Sequence, residues 1–223
     1  MPIDTASSNT PERLMEGYYA ARAPEYDAIY RKPERQQDLR AIEQWLPSRL
    51  AGARVLEIAC GTGYWTQFIA PVAQHVTALD AAPETLAIAK ARVPGSNVEF
   101  VVGDAYDPPR GGSHDAAFAG FWFSHVPRAR QRAFLAALNA ALRPGARVVM
   151  LDNRYVEGSS TPVTEHDADG NGYQARKLAD GSTHRVLKNF PTEAELRLLV
   201  ADLGEHPAFI VWDYYWAFEY VVI

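Results

Sequence analysis

Two glycines, Gly61 and Gly63, follow the apolar run Val55-Leu56-Glu57-Ile58-Ala59-Cys60 and stand just before an amphipathic stretch. Glycine at such a strand-to-helix turn lets the backbone pass close to a ligand, and the first turn of the helix offers unpaired amides. Asp80 closes the second apolar run. A carboxylate there is placed to accept two charge-strengthened hydrogen bonds from ribose hydroxyls, with the N-cap of the next helix as the plainer alternative. Gly103-Asp104-Ala105 closes the third run. Its carboxylate is placed to accept from an exocyclic adenine amine, or else simply makes a turn. After the fourth run comes Gly120-Phe121-Trp122-Phe123-Ser124-His125-Val126-Pro127. His125 is its candidate general base for a hydroxyl, against a role in holding the loop.

Residues of this kind work only if they are brought to one edge of a sheet. The spacing predicts strands over 54–59, 75–80, 98–102, 114–121 and 147–152, separated by helices over 64–73, 83–92 and 128–142. Short apolar runs alternating with amphipathic stretches indicate an α/β fold: a Rossmann-like, seven-stranded, mostly parallel sheet with helices on both faces and a reversed terminal strand. Residues 12–50 read as an N-terminal helical cap cut by Pro24 and Pro33, 54–152 as the core, and 191–223 as a closing helix and two strands, all in a single domain. Thr192 and Glu195 stand at capping-box spacing at the head of that helix, ahead of strands over 209–213 and 216–222. The polar segment 153–190 interrupts the alternation. Within it, 173–179 and 182–188 flank Asp180-Gly181, a hairpin signal, and make a lid.

Composition narrows the function classes. Lys plus Arg number 22 against 27 for Asp plus Glu, giving a net charge of −5 that disfavours a nucleic-acid partner. Cys60 is the single cysteine, so an intramolecular disulfide and a Cys-rich zinc site are both excluded. No apolar run approaches the ~18 residues of a membrane span and the N-terminal stretch lacks the features of a secretory signal, so the expected address is the cytoplasm without a membrane partner. The third glycine of a dinucleotide fingerprint is missing, since Thr66 stands at its place and the bulky Tyr64-Trp65 pair precedes it. That leaves an NAD-dependent oxidoreductase as a weaker alternative, and no P-loop is present.

Taken together, Glu57, Gly61, Gly63, Asp80 and Asp104 at three successive strand ends resemble the class I S-adenosylmethionine-dependent methyltransferase family. The likeness is close over 54–152 and loose in the flanks. It implies that the loop Glu57-Ile58-Ala59-Cys60-Gly61-Thr62-Gly63 binds the methionine end of S-adenosylmethionine, with Ala59 replacing the family's first glycine in an ordinary backbone conformation. It assigns Asp80 to the ribose, Ala81 to the adenine face, and Asp104 with Ala105 to the adenine edge. The expected activity is in-line methyl transfer to an oxygen or nitrogen of a small-molecule metabolite, with His125 tilting the choice towards oxygen. The competing class is a module that binds the cofactor without turnover.

On the acceptor side, Phe121, Trp122 and Phe123 are candidates to flank the methyl group, with core packing as the alternative for at least one. Tyr19, Tyr26, Tyr173, Arg176 and His184 are candidates to contact the acceptor or the cofactor's methionine carboxylate, because lids come from such irregular excursions. The motif of exocyclic-amine nucleic-acid methylases is absent from the end of strand 4, and Asp107-Pro108-Pro109-Arg110 reads as a rigid loop. Asp152-Asn153 matches part of the metal site of catechol-type enzymes, but Ser124 replaces its other acid. No metal is therefore expected, and Asp152 is kept as a candidate to face the acceptor.

Overall fold

The computed structural model describes residues 23–111 and 113–223, with side chains described from Asp27 onward. Two 3₁₀ helices, Ala23–Arg31 and Pro33–Arg35, lead into α1 (Gln36–Leu50). Pro33 ends the first of them by forcing Lys32 into extended backbone (φ −61°, ψ 120°). Leu39, Ile42, Leu46 and Leu50 of α1 recur at helical spacing and are fully buried, which fixes the face that α1 presents to the sheet.

The main sheet has the order β3-β2-β1-β4-β5-β10-β9. Strands β1 (Arg54–Ile58), β2 (His75–Asp80), β3 (Val98–Val102), β4 (His114–Gly120) and β5 (Leu142–Asn153) pair in parallel. The last strand, β10 (Tyr215–Val222), runs antiparallel to both β5 and β9 (Gly204–Val211), which makes it the reversed strand. Strand order switches direction between β1 and β4, so the carboxyl ends of these strands open a crevice of the kind in which α/β sheets hold ligands. One core lies on each face. Phe134, Leu135 and Leu138 of α4 (Arg128–Ala140) pack with Leu196 and Val200 of α5 (Glu193–Val200) on one side. On the other side α1 packs with Ile69 of α2 (Thr66–Ile69) and Leu86 of α3 (Pro83–Arg92).

Between β5 and α5 a second sheet forms from β6 (Glu165–His166), β7 (Gly172–Lys177) and β8 (Thr183–Leu187). Its hairpin turns at Gly181 (φ 86°), as Asp180-Gly181 predicts, and Tyr173, Leu178, Val186 and Leu187 form its own small core. The Asn189 amide donates to the Ser124 carbonyl at 2.7 Å, tying this sheet to the end of β4. Thr192 and Glu195 complete the expected capping box.

Three of the boundaries that differ from the sequence reading have a local reason. The helix expected over 64–73 is regular only over Thr66–Ile69, because Pro71 cannot continue it. Strand β5 begins at Leu142, through Pro144-Gly145, because Leu142 pairs with His114 across a register shift. Strand β9 begins at Gly204, which pairs with Val222, and its polar first residues carry no alternation to reveal it. No helix among the described residues is long and apolar enough to cross a membrane.

Candidate functional site

The turn after β1 is bent by three left-handed residues: Ala59 (φ 53°), Gly61 (φ 56°) and Gly63 (φ 74°). Ala59 thus departs from the ordinary conformation expected of it. Its methyl group is carried at a cost of roughly 1–2 kcal/mol, which the surrounding hydrogen bonds offset. Those bonds run from the Cys60 amide to Leu79 and from the Gly63 amide to Cys60, each 3.0 Å. A Cβ at Gly63 would lie 3.0 Å from Cβ of Ala89, so glycine is needed there for α3 to approach. The Cys60 side chain is buried and its thiol is pushed up by that burial, so it remains neutral.

Glu57 is only 1% exposed and sits beneath this turn. Burial, with Asp80 as an added negative neighbour, raises its carboxyl to about 8, while the Thr66 hydroxyl donates to it at 2.7 Å. Glu57 is therefore a brace under the loop and presents no surface for the direct cofactor contact expected of it. Asp80 is the hinge between two loops. Its Oδ1 accepts from the Ala82 amide (2.9 Å) and the Thr85 hydroxyl (3.0 Å), and its Oδ2 accepts from the Gly61 amide (2.8 Å). Burial raises its pKa and these bonds lower it, with burial the larger effect. A carboxylate has about four lone-pair positions, and the three bonds named occupy most of them. Ala81 is exposed beside it. Asp104 is exposed, with Oδ1 holding the Tyr106 amide at 2.8 Å, and Ala105 is buried against the core.

The N-terminal segment closes over this turn. The Thr62 hydroxyl donates to Asp27 Oδ1 at 2.7 Å, Arg92 pairs with Asp27 Oδ2, and Tyr30 stacks on Tyr64 with centroids 3.5 Å apart. Tyr19 lies outside the described residues, as does the side chain of Tyr26.

Beyond the ends of β4 and β5 lies a cavity of about 440 Å³, bounded by the N-terminal segment and by β7 and β8. Phe121, at φ 57° with its amide donating to Leu151 at 2.7 Å, forms its inner wall between Tyr30 and Tyr215. His125 also lines the cavity, and its Nδ1 proton goes to the Leu187 carbonyl at 2.6 Å, the only direction that bond can run. A buried ion pair lies behind the wall. Asp152 (0% exposed) takes Lys188 Nζ at 2.8 Å and the Ser124 amide at 3.0 Å, while the same ammonium donates to the Ser124 hydroxyl. Burial lowers the Lys188 pKa, and Asp152 opposes the shift.

These positions correct three expectations. Asp152 is sealed in its ion pair instead of facing the acceptor. Trp122 packs on Tyr106 and Phe134, outside the cavity wall, because the left-handed Phe121 turns the chain between them. Tyr173 is core of the small sheet, donating to Asp167 at 2.9 Å beneath the Arg185 guanidinium. Arg176 does line the cavity, whereas His184 is its cross-strand neighbour and meets the Ser182 hydroxyl at 2.8 Å.

A family described as a methyltransferase domain matches residues 55–145. The solved DhpI-SAH complex is 33% identical, with 97% of this chain and 98% of that one covered at a TM-score of 0.78. The DhpI-SAM-HEP complex matches as well, at 32% identity and a TM-score of 0.79 over 96% and 99% of the two chains. This chain is a class I S-adenosylmethionine-dependent methyltransferase. A ubiquinone biosynthesis O-methyltransferase of Xanthomonas axonopodis pv. citri (strain 306) is 31% identical over 72% of this methyltransferase. The match spans 66% of that relative's length.

S-adenosylmethionine is the methyl donor of the family, and the crevice fits it. Asp80 Oδ2 accepts from the Gly61 amide and Asp104 Oδ2 has no donor among the described residues, both at the ends of neighbouring strands on one side of the glycine turn. Lys32, Arg35 and Lys188, which sequence reading did not single out, line the cavity together with Asn153. No local pattern marks them. Only the unexplained length of the 153–190 insertion and the basic residues around Pro33 hinted at a second wall.

Proposed function

We propose that this methyltransferase moves the methyl group of S-adenosylmethionine to an oxygen atom of a small molecule seated in the cavity beyond β4 and β5. One observation carries the choice of atom. The cavity is lined by basic side chains and by no Asp or Glu among the described residues. An amine acceptor would enter as an ammonium, be repelled, and find no carboxylate among the described lining residues to take its proton. The O-methyltransferase named among the relatives supports the same atom. For the donor, Asp80 Oδ2 takes one ribose hydroxyl, Asp104 with Ala105 and Ala81 border the adenine, and the loop amides around Ala59–Gly63 meet the methionine end. Phe121 separates donor from acceptor, and His125 touches the acceptor.

Calorimetric titration of S-adenosylmethionine into the wild type and Asp80→Asn tests the donor site. A hydrogen bond to a charged acceptor contributes about 1.5–3 kcal/mol, so the variant is expected to bind roughly tenfold more weakly or worse. Equal affinity removes Asp80 from the ribose. A broad panel of oxygen acceptors that yields no S-adenosylhomocysteine would favour a binding module without turnover.

A further inference from the structure

Acidic groups gather beneath the glycine turn without a cation to match them. Glu57 is 1% exposed, and it and Asp80 both act electrostatically on the buried Cys60 thiol, so the three groups share one space. Neutral donors serve the two carboxyls. The Thr66 hydroxyl of α2 reaches Glu57, while the Gly61 and Ala82 amides and the Thr85 hydroxyl of α3 reach Asp80. The cross-strand neighbours of Glu57, Ala78 of β2 and Phe118 of β4, carry no charge. Arg92, at the end of α3, does reach the turn, but it binds Asp27 and the Thr62 hydroxyl. No Lys, Arg or His among the described residues pairs with Glu57 or Asp80.

Two carboxyl groups held side by side out of water resist ionising together, so one of them keeps its proton. Three of the hydrogen bonds named favour the charged form of Asp80 and one that of Glu57, so the proton stays on Glu57, whose carboxyl burial raises to about 8. A positive charge brought to the turn draws that transition down. S-adenosylmethionine and S-adenosylhomocysteine differ by such a charge. Both carry adenine, ribose and the amino-acid end, but the first has a sulfonium where the second has a neutral thioether. Either ligand excludes nearly the same water from the turn, so the difference they make at Glu57 is electrostatic.

Resting on the donor reading above, in which the turn Ala59–Gly63 meets the methionine end, we propose that Glu57 sets the preference of this turn for S-adenosylmethionine over S-adenosylhomocysteine by releasing its proton when the positive ligand binds. Glu57 touches neither ligand and acts through the field across the turn. Charge balances within the binding step, since one positive charge comes with the ligand and a proton leaves Glu57 for solvent. Affinity for S-adenosylmethionine therefore rises with pH, whereas S-adenosylhomocysteine gains nothing from the ionisation. After methyl transfer, in which the S–CH₃ bond breaks with its electron pair left on sulfur, Glu57 recovers a proton from solvent. The attraction is then gone, which favours release of the product.

The test titrates each ligand calorimetrically, without acceptor, into wild type, Glu57→Gln and Thr66→Val from pH 6 to 9, in buffers of different ionisation enthalpy so that protons are counted. Lowering Glu57 by one pH unit raises the ratio of the two affinities nearly tenfold across that range, and a rise of at least about threefold beyond that of Glu57→Gln is expected of the wild type. The ligands' own α-amines titrate in the same range in every variant, so the comparison cancels them. At pH 7 wild type should release about 0.4 proton more per S-adenosylmethionine than Glu57→Gln, with no such difference for S-adenosylhomocysteine. At pH 6, where glutamine mimics the protonated acid, S-adenosylhomocysteine affinity within about threefold of wild type shows that this variant folds. Thr66→Val removes the bond favouring ionised Glu57, so the rise should move to higher pH, and this variant decides the matter if Glu57→Gln does not fold. Affinity ratios that run parallel in wild type and Glu57→Gln with equal proton counts, or an unmoved rise in Thr66→Val, would overturn the proposal and leave the donor reading standing. Failure of wild type to bind either ligand would sink the donor reading itself, and this proposal with it.

Discussion

Replacing Lys188 by methionine isolates the contact that fastens the small sheet to the large one. Lys188 and Asp152 are 4% and 0% exposed at the side chain and meet at 2.8 Å, so the substitution leaves a carboxylate buried without its cation. The remaining donors are the amides of Ser124 and Asn153 and the Asn153 side chain. They hold the carboxylate but do not neutralise it. Breaking one partner of a buried pair costs about 3–5 kcal/mol, and methionine keeps most of the stem packing, so the electrostatic loss dominates. In a chain of this size that corresponds to a fall in melting temperature of roughly 10 °C. The double variant Lys188→Met/Asp152→Asn removes the stranded charge and loses only one acceptor for a backbone amide, a cost of about 1–2 kcal/mol. It should therefore be more stable than Lys188→Met alone. Urea unfolding of wild type, both singles and the double, extrapolated linearly, gives all four values. A loss below about 1 kcal/mol for Lys188→Met, or a double variant less stable than that single, would refute the picture of a charge-paired strut.

Ala59→Gly relieves a left-handed alanine while adding the backbone freedom of glycine to the unfolded chain. The two effects leave a net gain of up to about 1 kcal/mol, and a clear destabilisation in urea unfolding would show that the alanine methyl packs usefully. Gly63→Ala places a Cβ 3.0 Å from Ala89 at a positive φ, so a loss of about 1–3 kcal/mol and weaker S-adenosylmethionine binding are expected by denaturation and calorimetry. Glu57 gives the pH dependence. Its folded value of about 8 lies above the ordinary 4.5, so the folded state holds the proton more tightly. Its contribution is complete below about pH 4.5 and is lost as pH rises through 8, by as much as about 1 kcal/mol per pH unit in between. Stability of unliganded Glu57→Gln measured from pH 5 to 8 should fall less steeply than wild type. Parallel curves would remove Glu57 as the source.

The strand-end turns and the helix start were legible because each is local. Gly61 and Gly63 mark a turn whose backbone only glycine adopts freely, Asp80 and Asp104 end apolar runs, and Thr192 with Glu195 announces a helix start. Local reading failed where a residue's environment came from a distant segment. Glu57 and Asp152 look like functional acids in sequence, and both are buried by neighbours that sequence does not place beside them. Tyr173 and Trp122 are aromatic in either role, and packing against Val186 and Phe134 decided for core.

By itself, the order of residues determined the parallel sheet, the reversed last strand and the glycine turn after β1, because hydrophobic period, turn chemistry and strand-end acids act over a few residues at a time. Tertiary structure alone decided the cationic wall of the cavity. Lys32, Arg35, Arg176 and Lys188 span more than half of the chain and become a single electrostatic feature only when β7 and β8 fold back against the N-terminal segment. Charge interacts through space across a cavity, and distance along the chain carries no record of it.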